Sequence, residues 1–286
     1  MITYKPLPIS DKRVQHYLKQ IDFKPADVSA FKTLYNAWIH SGQYTVVKGL
    51  ESFATALTDG VTGAFADFAH AYPEKPLVVF KGEYPYHRDI GATVIDNIQD
   101  LKPNTRLILS VPFAATGNVP VDYQKILETC STLEIPVFLD MAYFGACSLG
   151  EVNVDYECVK FVAFSLSKTF GTGKCRIGMC YYRNVGMTPM QLLNEYNYVN
   201  HIAINLHTPI IKNFTPDYMY NVYNEKQQMI SKDFNLDPSD TVFLCTTHDP
   251  KFKGFSRAGY INRIGIAELL VKTSYNKEDV QWHQKP

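Results

Sequence analysis

The chain carries no excess of either charge: 28 Lys and Arg balance 28 Asp and Glu, and the pI is about 7.1. Without a basic field, neither nucleic acid nor an anionic membrane surface is expected as a partner. No apolar run approaches the ~20 residues that span a bilayer. The opening Met1-Ile-Thr-Tyr-Lys-Pro-Leu-Pro8 lacks an apolar core followed by a small-residue cleavage site, so a cytoplasmic location is expected. Six cysteines, at 130, 147, 158, 175, 180 and 245, include no Cys-x-x-Cys pair, and most sit in apolar segments. Buried free thiols are therefore expected rather than disulfides. The eight histidines show no zinc-ligand spacing, so no metal is expected. Internal repeats and low-complexity tracts are absent as well.

What the chain does have is an ordinary globular share of apolar residues, 46% of 286, enough for one large domain with a smaller one appended. Apolar runs alternate with amphipathic stretches, which predicts an α/β fold built from βαβ units. Strands are expected near 43–48, 76–81, 105–111, 135–140, 158–165 and 176–183. Helices are expected over 50–70 after the Gly49 turn, over 87–99 with Ile90, Val94 and Ile98 on one face, and over 121–133 after Pro120. Short strands flanked by helices imply a mostly parallel sheet covered on both sides. From 186 to about 234 the pattern is helical; strands at 241–246 and 260–265 and a helix from Ala267 complete it. The expected division is an N-terminal segment over 1–42, a large domain over 43–205 and a reduced C-terminal small domain over 206–286.

Ligands of such folds bind at the carboxyl ends of strands, where Asp140 and the turns after Val79 and Leu109 fall. Two segments there carry chemistry. In Phe161-Val-Ala-Phe-Ser165-Leu-Ser167-Lys168-Thr-Phe-Gly171-Thr-Gly-Lys-Cys-Arg176-Ile-Gly178, an apolar run delivers one lysine into a Ser/Gly-rich turn. In Ile135-Pro-Val-Phe-Leu-Asp140-Met-Ala-Tyr143, an apolar strand ends in an acid and then a phenol. These are the groups that pyridoxal phosphate needs. Lys168 supplies an amine for a Schiff base, and Asp140 a carboxylate for the protonated pyridine nitrogen. Tyr143 can donate to the ring oxygen, while Ser165, Ser167 and Arg176 can donate to the phosphate.

Asp-x-Ala-Tyr followed by Ser-x-Ser-Lys-x-Phe-Gly-x-x-x-x-Arg-x-Gly resembles fold-type I pyridoxal-phosphate enzymes of the aspartate aminotransferase superfamily, classes I and II. The resemblance runs from about Tyr44 to about Leu270. It implies a PLP-transferase-like large domain with Lys168 as the Schiff-base lysine, Asp140 as pyridine partner, Tyr143 as ring-oxygen donor and Arg176 as phosphate ligand. Further matches extend it. Tyr84, in Val78-Val-Phe-Lys-Gly-Glu-Tyr84-Pro-Tyr86-His87, falls where the family stacks a ring on the cofactor. Arg263, in Tyr260-Ile-Asn-Arg263-Ile-Gly, falls where the family grips the substrate α-carboxylate. Thr116-Gly117 matches the end of the family's Asn-Pro-Thr-Gly turn, but the asparagine position is Ala114, which removes a side-chain donor. Where the family has its phosphate turn, this chain has Lys48-Gly49-Leu50-Glu51-Ser52. Backbone contacts from Gly49 and Leu50 at a helix N-terminus are expected there. The chain is short for the family, and its small domain is expected to be reduced.

Each residue also has a plainer reading. Asp140 could cap a helix or a turn. Tyr84 and Tyr143 could be packing aromatics, and His87 a structural histidine rather than a substrate contact. Arg263 could make a salt bridge. Gly171-Thr-Gly-Lys174 does not fit a nucleotide P-loop, because the motif's first glycine would fall at Lys168 and its hydroxyl at Cys175. The resemblance implies transamination between an amino acid and a 2-oxo acid by a homodimer with a shared site. The alternatives are β- or γ-elimination, cyclisation or racemisation in a specialised pathway, or a non-catalytic member of the family. No second arginine can be assigned to a dicarboxylate side chain, and the Tyr-rich composition would suit an aromatic or neutral substrate.

Overall fold

A computed structural model describes residues 12, 13, 16, 24–257 and 259–282. The expected 1–42 segment therefore lies, up to residue 23, mostly outside the described residues. Helix α1 (Val28–His40) is opened by Asp27, whose carboxylate accepts from Ala30 N at 2.9 Å. Seven strands form the main sheet: β2 (Ala54–Thr58), β3 (Leu77–Phe80), β4 (Thr93–Ile95), β5 (Arg106–Ser110), β6 (Val137–Met141), β8 (Val159–Ser165) and β9 (Gly178–Tyr182). Their spatial order is β2-β9-β8-β6-β5-β3-β4. The β4/β3, β3/β5, β5/β6 and β6/β8 pairs are parallel, and β8/β9 and β9/β2 antiparallel.

All five residues of β6 and of β9 are buried, as a continuous apolar run at the centre of a doubly covered sheet requires. Alternation then sorts them. Leu107, Leu109, Leu139, Met141, Val162 and Phe164 pack toward Phe31, Tyr35 and Trp38 of α1. Ile108, Phe138, Phe161 and Ala163 pack toward Val61, Phe65 and Phe68 of helix α2 (Gly60–Ala71) on the opposite face.

Two expected helices are corrected. The 50–70 segment is not one helix: the chain first runs through β2, which pairs with β9, then turns at Asp59-Gly60 (Gly60 φ +68°) into α2. The 87–99 segment forms only helix α3 (Pro85–Asp89). Gly91, at φ +94°, leaves the helical path. The β-branched Thr93-Val94-Ile95 then extends as an edge strand, leaving Ile90 and Val94 exposed rather than on a buried face. The expected strand at 43–48 forms β1 (Thr45–Lys48), but it pairs outside the main sheet, in parallel with β7 (Gly150–Asn153). The expected helix over 121–133 is α4 (Tyr123–Thr132).

The edge of β2 is closed by side chains. Asn194 both accepts from Leu57 N at 2.7 Å and donates to Leu57 O at 2.9 Å, and Lys32 Nζ donates to Thr55 O at 2.9 Å. These bonds block the row on which another strand could pair. Asn194 belongs to α5 (Pro189–Glu195), pinned to α2 through buried Asp67, which accepts from Tyr182 Oη, Thr188 Oγ1 and Met190 N.

Helix α6 (His201–Asn213) runs through 205 and 206 and leads into α7 (Tyr218–Phe234). A second sheet, wholly antiparallel, has the order β10-β11-β13-β12, from β10 (Asp237–Pro238), β11 (Leu244–Thr247), β12 (Ser256–Arg257) and β13 (Ile261–Gly265). It packs with α7 and α8 (Ala267–Val271) around Ile230, Phe252, Ile264 and Leu269. Among the described residues, no helix is long and apolar enough to cross a membrane.

Candidate active site

Neighbouring parallel strands end together. Ser110 of β5 lies opposite Asp140 of β6, and Asp140 opposite Ala163 of β8. Above those ends lies a cavity of about 330 Å³, lined by Lys168, Asp140, Tyr143, Tyr84, Ser165, Ser167, Arg176 and Arg263 with Thr62, Ser110 and Arg257. Residues more than a hundred apart in sequence meet there because parallel strands bring their carboxyl ends to one edge.

Asp140 is 7% exposed. Burial pushes its carboxyl up to about 6, against the bond from Ala142 N (2.8 Å) and the charges of Arg176 and Lys168. It is therefore an anion at neutral pH, held where water can stabilise it little. The Lys168 turn is braced on both sides. Thr169 Oγ1 donates to Phe144 O at 2.5 Å, and His207 Nε2 lies 2.8 Å from Thr172 Oγ1. Gly145, at φ +85°, lets the turn after Tyr143 approach Thr169, which a Cβ there would meet at 2.8 Å.

An anion site occupies one end. Arg176 Nη2 donates to Thr62 Oγ1 at 2.8 Å, and Ser165 Oγ accepts from Ser167 N at 3.2 Å. A Cβ on Gly60 would come within 3.1 Å of Arg176 Nε and Nη2 and 3.3 Å of Ser165 Oγ. Glycine, which also suits the left-handed φ of +68°, therefore lets the start of α2 close against them without displacing either side chain. Ser167 Oγ is buried without any hydrogen-bond partner, an orphaned donor of the kind a bound oxyanion satisfies. Gly49 and Leu50, expected at this place, lie elsewhere. Leu50 is a core residue at 2% exposure, and Gly49 packs on Asp155, which a Cβ would meet at 2.6 Å. The helix expected to begin behind Gly49 begins at Gly60 instead, so its unpaired N–H groups are presented there. The signal for it was Gly60-Val61-Thr62-Gly63, a glycine and hydroxyl turn after a short strand, inside a stretch that reads as helix throughout.

At the other end Tyr143 packs edge-on against Phe243 (5.3 Å). Burial raises its phenol's proton affinity, and nearby Arg263 opposes the rise. Arg263 Nη1 donates to the carbonyl of Ala114, so the Ala114 backbone has a role although its side chain has none to offer. Burial lowers the Arg263 pKa, with Arg257 adding like-charge repulsion. Tyr84 is 47% exposed, with its ring beside Tyr86 and edge-on to His87.

Two neighbours of the cavity carry no motif. Glu83 is buried and accepts from Ser110 N (2.7 Å), Ser110 Oγ (2.6 Å) and Tyr84 N (3.1 Å), tying the ends of β3 and β5. Burial raises its carboxyl to about 7, with Asp140 contributing repulsion. His87 is fully buried among Phe65, Tyr84 and Tyr86, with neither ring nitrogen bonded; burial lowers it to about 4, and it is neutral. It is a packing residue and does not line the cavity.

These groups fit pyridoxal phosphate. The oxyanion cradle suits its phosphate, the buried carboxylate its ring nitrogen, and the amine at the cavity its carbonyl.

A family model described as aminotransferase class I and II matches residues 77–238. No curated protein matches the chain in sequence. Among solved structures, an aminotransferase from Mycobacterium tuberculosis is similar with a TM-score of 0.63 and 15% identity, over 88% of this chain and 81% of that one. A PLP-bound aminotransferase described as putative, from Clostridium difficile 630, gives 0.59 and 12%, over 89% and 83%. A PLP-bound C-S lyase from Staphylococcus hominis gives 0.57 and 12%, over 89% and 79%. At such identities the likeness is one of fold.

Proposed function

The chain belongs to the aminotransferase class I and II family, and we propose that within it the protein is an aminotransferase moving an amino group between an amino acid and a 2-oxo acid. The family uses pyridoxal phosphate, which when bound supplies a carbonyl for imine exchange and an electron sink for the substrate's α-carbon. The observation that carries the reading is the convergence of Lys168, Asp140, Tyr143 and Arg176 on one cavity.

In this reading Arg176, Thr62, Ser165, Ser167 and the first N–H groups of α2 bind the phosphate. Asp140 holds the proton on the pyridine nitrogen. Tyr143 donates to the ring oxygen without help from a side chain at Ala114, and the Tyr84 ring covers one face. Arg263 takes the substrate's α-carboxylate with its guanidinium fork. Lys168 would hold the cofactor's carbonyl carbon before substrate enters, and its Nζ would then take the substrate's α-proton and deliver it to that cofactor carbon, on the far side of the intervening nitrogen. Residues 43–205 form the cofactor-binding domain and 206–286 the reduced small domain, after the N-terminal segment 1–42. The same reading makes the enzyme a cytoplasmic homodimer. Its support is the exposed apolar group Leu192, Leu193, Tyr196 and Ile202 along α5 and α6, a face suited to a second copy.

The test is to supply purified protein with pyridoxal phosphate, record its visible absorption, reduce with borohydride and locate the labelled peptide. A label on Lys168, with absorption that an amino donor bleaches as the matching 2-oxo acid forms, supports transamination. Release of ammonia from the donor instead moves the reading to elimination. A label elsewhere, or no absorption, overturns it.

A further inference from the structure

Arg257 and Arg263 share one face of the β12–β13 hairpin. Arg257 lies opposite Ile261 in the register, and Ile261 and Arg263 are two residues apart on one strand. Strand alternation therefore sends both arginines to the same side, and both line the cavity beside Tyr143. Arg263 is tethered to the Ala114 carbonyl. Among the described residues, the Arg257 guanidinium has neither a hydrogen bond nor an acidic partner. Asp140 is the one acid in the cavity lining, and the cations acting on it are Arg176 and Lys168, not the hairpin pair. Glu83 is turned toward Ser110 and Tyr84 N.

Two guanidinium groups lining one cavity repel each other; Arg263 has the Ala114 carbonyl and Tyr143 to offset its charge, but among the described residues no acidic side chain pairs with Arg257. An α-carboxylate occupies one guanidinium fork; the second still lacks a counter-charge. We propose that Arg257 binds a second anionic group, so that the substrate is an amino acid with a carboxylate or phosphate ester on its side chain rather than a neutral or aromatic one. The inference rests on the transaminase reading for the place of the α-carboxylate. It supplies the second arginine that the sequence alone could not assign.

The test is equilibrium binding by calorimetry to the cofactor-loaded protein, with succinate, 3-phosphonopropionate and butyrate as probes that cannot react. Kinetics with glutamate, aspartate and O-phosphoserine against glutamine, asparagine and serine accompany it. Either dianion is expected to bind roughly 10- to 100-fold more tightly than butyrate, and the tighter of the two tells carboxylate from phosphate. Arg257→Gln should erase that preference while leaving butyrate within about threefold, and Arg257→Lys should keep part of it, which guards against a folding defect. Equal binding of all three probes overturns the inference, as does an equal loss for all three in Arg257→Gln. If the protein takes up no cofactor yet still prefers dianions through Arg257, the transaminase reading falls and this one stands. Turnover of neutral amino acids without any dianion preference gives the reverse.

Discussion

The two ends of the cavity rest on different supports. The cofactor end stands on β5, β6 and β8, central parallel strands whose residues are buried almost throughout. Its polar groups are held by short contacts to strand ends and to the start of α2. The substrate end stands on a hairpin whose outer strand, β12, has two residues, beside the exposed Tyr260. The hairpin itself reaches the large sheet's turns through Arg263 to the Ala114 carbonyl and Tyr260 Oη to Lys81 O (3.4 Å), while residues 239–242 before β11 bond to Thr116, Gly117 and Asn118 and to Ala146. Precise placement of fixed charges is thus concentrated where the chemistry of the cofactor is invariant. On the proposed reading the hairpin side, with its two-residue outer strand, is where one substrate would be told from another, and small repacking there would shift selectivity without disturbing the sheet.

The largest expected effect tests that separation. Arg263→Gln should lower kcat/KM by roughly 10²- to 10³-fold, as loss of a buried charged partner does, while the cofactor's absorption and affinity stay as in the parent. Loss of cofactor along with activity would show that the two ends are not independent.

Glu83→Gln sharpens the comparison from the other side, because Glu83 sits behind the cofactor end. A carboxyl raised from its ordinary 4.5 to about 7 in the folded protein costs roughly 3 kcal/mol once it ionises. The folded state binds the extra proton within that window, so stability is full below about pH 4.5 and falls as pH climbs through 7. Asp140, raised to about 6, adds a fall that ends earlier. The parent's Tm should therefore drop between about pH 4.5 and 7 and level off above that, and that of Glu83→Gln should be flatter across the same window. Parallel curves would count against a proton on Glu83.

The smallest effect is local. Gly60→Ala places a Cβ against Arg176 and Ser165 at a left-handed φ. It should cost about 1–2 kcal/mol of stability and weaken cofactor binding about tenfold, with KM for substrate unchanged in the cofactor-saturated enzyme. Gly49→Ala, also strained, should leave cofactor affinity alone. Equal losses in both would return the phosphate to the Gly49 turn.

The parts of this site that the sequence made legible are those confined to one strand and the turn after it. Asp140, Tyr143, Ser165, Ser167, Lys168 and Arg176 are readable because β6 and β8 are continuous apolar runs whose ends place the next side chains. The alternation of 107, 109, 139 and 141 with 108 and 138 is equally local. The helix expected over 87–99 fails because a 3.6-residue pattern in Ile90, Val94 and Ile98 outweighed Gly91 and three consecutive residues that favour extended backbone. Glu83 and Arg257 carry no motif. Nothing near Glu83 in the chain announces that Ser110 will meet its carboxylate, and a two-residue strand like β12 is too short to show a period.

By itself, then, the sequence determined the α/β class, the central strands and the order of amine, acid and phenol, because burial pattern and turn chemistry act over a few residues. Only the tertiary structure decided that α2 rather than the Gly49 turn meets Arg176, across 114 positions of chain. It decided in the same way that Arg257 joins Arg263 in one cavity. Those contacts depend on strand order and hairpin register, which arise when distant segments pack and leave no mark on the residues that will meet.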